Sequence, residues 1–554
     1  MKIYLHLVLC MTTTLALSGC LGATLQPPET RPVDPAMPPP KLASPTLGSE
    51  DALADAPVTI DLAGHSFQPQ DGREVPPFPS DEMLNLTVEQ AVVSALGRNR
   101  ALVVEQFNPV IAGTFVDTER AVFDAVLFAR GSLNRDHDRA FDAAEGRFFS
   151  INGSGNTVRA GIARRLITGT DVSLDISQAG STSDNARSAD EARAGLNLTQ
   201  ALLRNAGVTT NLAGIRRAEA GALASAYKLR GFTENLVATV ETAYWGYALA
   251  VRQLEIFQES LELAQRQLND IQTRITVGQL AEIEETVADA ELALRKQQLI
   301  DARNVRERAR LNLLRLLNPP SSAEGWDRQI TLSEDAVVPE VSLGSVLEHE
   351  ALAIRLRPDL NEARLQARSG ELETVQTANG LLPRLDLFIT FGKTGYAQSF
   401  GSSFKDLSGP GYDVAAGLDF EFPVENRAAR ALDRRARASY QQALHSVENL
   451  KQLVSLDVRN ALLEVERSLQ QIDASAARRL LQEEVLRAET VRFGVGTTTA
   501  LEVARVQRDL LDSRISEVEA IVNYRQALIN LYLLDGSLLL RRGIQGPGAE
   551  EVVL

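Results

Sequence analysis

The side chains of this sequence that could do chemistry cluster around two copies of one short element. Arg274-Ile-Thr-Val-Gly-Gln-Leu280 and Arg492-Phe-Gly-Val-Gly-Thr-Thr498 share a Val-Gly pair, Val277-Gly278 and Val495-Gly496. A carboxylate follows each, Glu284 in the first copy and Glu502 in the second. One offset carries Arg274 onto Arg492, Ile275 onto Phe493, Gly278 onto Gly496 and Glu284 onto Glu502. A carboxylate just past a glycine reversal can cap the helix that starts there, or it can face an ion. Thr499-Ala-Leu-Glu502 has the pattern of a capping box, and only the second copy has it in full. Glu282, Glu285 and Asp289 fit a solvated helix face. The two glycines are expected to permit a reversal that side chains would obstruct. Arg274 and Arg492 are either recognition residues or charges at a helix C-terminus. Enzyme chemistry has little to work with. Of five histidines, His137 and His349 stand isolated among acids and arginines and are expected at the surface. No phosphate loop, nucleophile elbow or metal-ligand spacing is found. No enzyme activity, metal or cofactor is expected.

The N-terminus has its own chemistry. Lys2 precedes an apolar run from Ile3 to Leu17, and Leu17-Ser18-Gly19-Cys20 closes it. This is a secretory signal in layout, and its last four residues resemble the lipobox of a bacterial lipoprotein. That resemblance implies cleavage before Cys20, a covalent lipid on its thiol and, with Leu21 next, sorting to the outer membrane. Cys10 would leave with the signal, so no disulfide is expected within the mature chain. Proline then crowds residues 20–83, which are expected to form an extended tether, with one short strand at Val58–Leu62.

The elements that must position the two tips are long helices. Thr87-Val-Glu-Gln90 is a capping-box start, and no proline occurs between Gly231 and Asn318. Tyr244, Tyr247, Val251, Leu254, Leu261, Leu268 and Ile275 step by three and four, with Gln258, Gln265 and Gln272 interleaved. A second series, Ala243, Ala250, Phe257, Ala264 and Ile271, runs beside it. Two adjacent stripes need neighbours on two sides, as in a closed ring of helices. The second copy repeats this with Val458, Leu462, Val465, Leu469 and Ile472 before its tip. Repetition on this scale implies one elongated architecture used twice.

Between the helices the period changes to two. Leu385, Leu387, Ile389 and Phe391 alternate with polar residues, as do Leu418 and Phe420, Leu196 and Leu198, and Val172, Leu174 and Ile176. One apolar and one polar face fit strands of a transmembrane barrel and equally a half-exposed soluble sheet. So few strands cannot close a barrel alone, and open edges do not survive in lipid. The membrane reading therefore requires several chains to share one barrel. Composition agrees with a mostly aqueous body: 44% of residues are hydrophobic, 23% are charged, and the net charge is −15. Without a basic stripe, nucleic acid is not an expected partner.

Arg357-Pro-Asp-Leu360, its first-copy counterpart Asn99-Arg-Ala-Leu102, Leu381-Leu-Pro-Arg-Leu385 and the paired Val-Gly tips together resemble the TolC-type outer-membrane efflux family, particularly its lipoprotein members. Phe123-Asp-Ala125 stands at the first-copy transition from helix to strand. The resemblance covers about residues 84–540. It implies a mainly α fold with a transmembrane β portion, in which duplicated helical hairpins form a trimeric α-barrel joined to a shared outer-membrane β-barrel. It implies a homotrimer in outer-membrane lipid, with most of the chain in the periplasm. It further implies that the tips (Arg274, Val277, Gly278, Arg492, Val495, Gly496, Thr497) dock a periplasmic adaptor coupled to an inner-membrane pump. Glu502 stands where family members place acidic gate residues, with Glu284 as a second set, and the hairpin of Gly496 and Glu502 is the better candidate for a moving gate. Arg505 stands where a second acid would be expected.

The implied organisation is a signal at 1–19, a tether at 20–83, a first repeat at 84–318 with strands at about 125–200, a linker at 319–342, a second repeat at 343–540 with strands at about 383–423, and a tail at 541–554. Ala125 and Ala201 replace prolines common in the family, which leaves the first-copy strand limits open. An additional pair of strand-like runs, Val158–Ile167 and Asp171–Ile176, either widens the barrel or lies outside it. The expected function is passive conduction of small molecules or metal ions outward in an efflux system. A type I protein-secretion duct would share the fold. A periplasmic lipoprotein scaffold or a doubled adaptor is disfavoured by the strand alternation and the paired tips.

Overall fold

The computed structural model describes residues 63–69, 83–142, 146–184, 186–318, 323–334, 337–339 and 341–553. Cys20, most of the proline-rich run and Val58–Leu62 lie outside the described residues. The helices are α1 (Val88–Arg98), α2 (Arg100–Arg120), α3 (Ala213–Thr276), α4 (Ile283–Leu317), α5 (Val346–Leu356), α6 (Pro358–Gly380), α7 (Arg427–Gly494) and α8 (Ala500–Leu534). Between α2 and α3 come β1 (Val126–Asp142), β2 (Arg147–Arg165), β3 (Thr170–Ser183) and β4 (Ala186–Ala201); between α6 and α7 come β5 (Arg384–Ala397) and β6 (Tyr412–Glu421).

Two helices are unbroken along the wall. α3 has 64 residues and α7 has 68, each roughly 100 Å of helix. The return helices α4 and α8 have 35 residues each, so the duplication is exact in length there. α3 packs against α2 and α6 over one half and against α4 and α8 over the other, while α7 packs against α6 and then α8. The wall is thus four helices wide throughout, with α2/α4 on one edge and α7 on the other. Both apolar series on α3 face this packing: Ala243, Ala250, Ala264, Ile271, Tyr244, Tyr247, Leu254 and Leu268 are all buried. The interleaved Gln258, Gln265 and Gln272 are exposed, as a stripe bordering water should be.

The breaks in the outer helices have local causes. Thr87 closes a complete capping box with Gln90 at the start of α1. Asn99 ends α1 and caps α2, accepting from the amides of Ala101 and Leu102. In the second copy Pro358 opens α6, which its missing N–H and fixed φ favour. Arg357 at that break binds Asp359 at 2.7 Å and Asp457 of α7 at 2.9 Å. His349 is buried, not at the surface as its neighbours suggested: its Nδ1 lies 2.8 Å from the buried Asp535 carboxylate. Helix α5 turns it inward, which the local charge pattern does not reveal. Beside it on α3, Arg230 and Glu234 form a buried pair at 3.0 Å. Burial pushes the Glu234 carboxyl up to about 8 despite the opposing pull of Arg230.

Around the middle of α3 lies a layer of short elements. Met83–Leu86 pairs parallel with Gln329–Leu332, and Gln68–Pro69 pairs antiparallel with Ile544–Gln545. Phe67 is buried there against Gly546, where a Cβ would collide with its ring.

The six strands form one antiparallel sheet in the order β1-β2-β3-β4-β5-β6. The additional first-copy hairpin is therefore part of this sheet. Its second-strand limit moves: β2 runs from Arg147 to Arg165, and Leu166 to Gly169 make the turn, with Gly169 at φ +85°. With alanine at 125 and 201, β1 still begins at Val126 and β4 ends at Ala201. Register places Leu127, Ile162, Leu174, Leu196, Phe391 and Val414 in one row across all six strands, and every one is exposed. The opposite face is polar. Arg159 donates two hydrogen bonds to the buried Asp175, at 2.9 and 2.8 Å, and Asn197 adds a third at 2.9 Å. Arg193 spans to Asp413 at 2.7 Å, and a Cβ on Gly392 would strike its guanidinium. The outer edges of β1 and β6 are unpaired among the described residues.

Candidate functional site at the hairpin tips

Each long helix ends the same way. Gly278 and Gly496 have φ of +74° and +76°, the left-handed region that glycine enters without a Cβ penalty. Gln279 N–H donates to Arg274 C=O at 2.8 Å and Gly278 N–H to Ile275 C=O at 2.9 Å. The second tip repeats both bonds, Thr497 to Arg492 at 2.9 Å and Gly496 to Phe493 at 3.1 Å. This is the Schellman arrangement, which satisfies the last carbonyls of a helix. A Cβ on either glycine would meet nothing within 4 Å, so backbone φ and not lack of space requires glycine here.

The two tips lie side by side. Phe493, Ala500 and Val503 of the second hairpin share an apolar cluster with Leu268, Ile271 and Ala288 of the first. The Arg274 guanidinium sits 5.5 Å from the centre of the Phe493 ring and pairs with Asp270 at 2.9 Å. Arg492 pairs with Glu489 on its own helix, and Thr497 Oγ1 donates to Arg492 C=O at 3.0 Å. Val277 and Val495, next to the glycines, are 63% and 71% exposed. Ile283 and Leu501 are exposed beside them.

The two carboxylates do different things. Glu284 reaches across to the second hairpin and accepts the Ala500 N–H at 3.0 Å, capping α8 from outside. Glu502 is exposed. Thr499 Oγ1 accepts the Glu502 N–H at 3.4 Å, but the Glu502 side chain does not return to the Thr499 amide. The expected full capping box is therefore only half formed, and Glu284 supplies the Ala500 N–H of that first turn with an acceptor from the other hairpin. Sequence reasoning missed this cross-hairpin cap, which no local pattern encodes. It also missed the Arg159–Asp175 and Arg193–Asp413 pairs, because alternation puts these residues on the polar face without saying which strands meet. Glu285 accepts from Gln272 at 2.9 Å, while Glu282 and Asp289 are exposed.

Residues 161–319 and 351–537, more than half of the chain, match the pattern of the outer membrane efflux protein family. The chain belongs to this family. The first matched stretch runs from the end of β2 through α4, and the second from within α5 through α8. Among similar proteins, the alkaline protease secretion protein AprF of Pseudomonas aeruginosa is 27% identical over 303 residues, 54% of this chain and 59% of that protein. The outer membrane protein TolC of Escherichia coli is 24% identical over 315 residues, 55% of this chain and 62% of that protein. Less than two thirds of either relative is spanned. The outer membrane channel CmeC of Campylobacter jejuni has the same fold, with a TM-score of 0.60 at 14% identity over 87% of this chain and 94% of that one.

Proposed function

We propose that this efflux-family chain is the outer-membrane exit duct of a tripartite efflux system, conducting small molecules or metal ions passively. The observation that carries this is the six-stranded sheet, with one exposed apolar face, one polar face and two open edges. Such a sheet is stable in lipid only if other copies continue it into a closed barrel. Three copies adding six strands each would make one barrel with a polar lumen lined by Asp175, Arg159, Arg193 and Asp413. The helical walls of the same three copies would close below it, α7 of one copy meeting α2 and α4 of the next. A lipid on Cys20 would anchor each copy, leaving most of the chain in the periplasm.

The tips are the docking surface for a periplasmic adaptor and its inner-membrane pump. Val277, Val495, Ile283 and Leu501 offer exposed apolar contacts there, with Arg274, Gly278, Arg492, Gly496 and Thr497 shaping them. In a trimer the exposed Glu502 carboxylates would form a ring that favours cations. Glu284 belongs to the gate in a second way, as the link between the hairpins. A type I secretion duct is a second reading, supported by the relative that is a protease secretion protein.

Fractionation tests the proposal. The expected product is a heat-modifiable, SDS-resistant trimer in outer membranes, whose loss with the adaptor's removal is not expected. A monomer released to the aqueous phase once the lipid anchor is removed would overturn it. Export of a small toxic solute, and not of a protease, distinguishes efflux from secretion.

A further inference from the structure

Half-way along the wall, α3, α4 and α8 enclose a groove of about 520 Å³. Asn235, Thr239, Thr242, Asn312, Gln526 and Asn530 line it, over a floor that includes Ala243 and Ile529. No charged residue is among its lining, in a chain whose net charge is −15. All the lining polar residues except the half-buried Gln526 are exposed, and Thr242, Gln526 and Asn530 have no side-chain partner among the described residues. Free carboxamides and hydroxyls offer both donors and acceptors, with nothing to neutralise an ion.

The groove faces away from the layer that covers the wall. Tyr244 donates its hydroxyl to Leu86 C=O at 3.1 Å and Tyr247 to Ile330 C=O at 2.8 Å, fastening that layer to one side of α3. Tyr244 follows Asn235 by about two and a half helical turns, so the two residues point to opposite sides. A duct must carry its packing layer outside and leave its inner surface bare. The bare side, with the groove, is then the inner one.

On the duct reading, we propose that this groove is a contact site in the bore for uncharged, hydroxyl-rich solutes, repeated once in each copy. Its volume is that of an ordinary small-molecule site, and its openness to the bore fits brief retention during transit. Hydrogen bonds to the free Thr242, Gln526 and Asn530 groups hold the solute, and Ala238, Ala243 and Gly246 let it lie close to α3. The tips, by contrast, present carboxylates, so charge is sorted at the entrance and hydrogen bonding acts midway.

The test uses the full-length protein, purified from outer membranes and inserted in planar bilayers, with maltohexaose as the probe. Wild type is expected to show concentration-dependent interruptions of the current. The double variant Gln526→Leu, Asn530→Leu is expected to shorten each interruption about tenfold, the size of two lost hydrogen bonds. A separate Asn530→Cys variant is expected to lose conductance when treated with a charged thiol reagent. Interruptions that are absent in wild type, or equal in the double variant, overturn the site. An Asn530→Cys channel that ignores the reagent shows the groove to be covered or outside the bore, and overturns it as well. Absence of any conductance in wild type removes the duct reading itself, which separates that failure from the other two.

Discussion

The two hairpin tips share one turn and begin their return helices differently. At the first, α4 starts with no side-chain cap, and the amides of Glu284 and Glu285 fold back on Ala281 and Glu282 at 3.1 Å each. At the second, α8 starts with two outside acceptors, Thr499 and the Glu284 carboxylate. The first return helix therefore starts without a cap, while the second is capped in part by a residue of the first hairpin. A duplicated chain has become asymmetric at the place where a duct would open. If the second hairpin swings away, the Ala500 N–H loses its partner, and Glu284 is freed to join Glu502 at the entrance.

The largest expected effects test the shared part. Gly278→Val and Gly496→Val should each destabilise its tip by roughly 1–2 kcal/mol, because both impose left-handed backbone on a branched residue. Amide exchange of the flanking helical turns measures this, and clearly unequal costs would break the claim of one common turn. Next comes the asymmetric cap. Thr499→Ala should cost the start of α8 about 1 kcal/mol, whereas Ala281→Ser should stabilise the start of α4 by about 0.5 kcal/mol. If Ala281→Ser gains nothing, the first tip is not limited by its missing cap. Glu284→Gln should cost about 0.5 kcal/mol through the lost charge at a helix N-terminus. Its signature is faster exchange at Ala500, on the other hairpin. Glu502→Gln is the smallest for stability, within about 0.5 kcal/mol as for other surface changes. It should instead raise anion conductance relative to cation conductance in bilayers, and an unchanged preference would leave Glu502 only its place at the start of α8.

The long helices were legible because Tyr244, Leu254, Leu268 and their partners repeat over many turns, and glycine or Asn/Arg-Pro breaks punctuate them. Strands β3 to β6 were legible through Leu174, Leu196, Ile389 and Leu418. β1 and the first part of β2 were legible only as part of a strand region at about 125–200, since Arg135, His137 and Arg139 interrupt the apolar face that begins at Leu127. Alternation also says nothing of which strand pairs with which, so the place of the additional hairpin in the sheet is set by contacts distant in sequence. The inward turn of His349 and the reach of Glu284 to Ala500 were hidden for the same reason: both depend on helices distant in sequence. The tips themselves were found from the repeat, but the need for glycine lies in φ, which composition alone does not distinguish from crowding.

Single-channel recording on the purified full-length protein is the most direct test of the central claim that several copies build one membrane duct. The expected result is a steady, passive conductance from a trimeric species, with a cation preference that falls in Glu502→Gln. A protein that remains monomeric and leaves the bilayer non-conducting would contradict it.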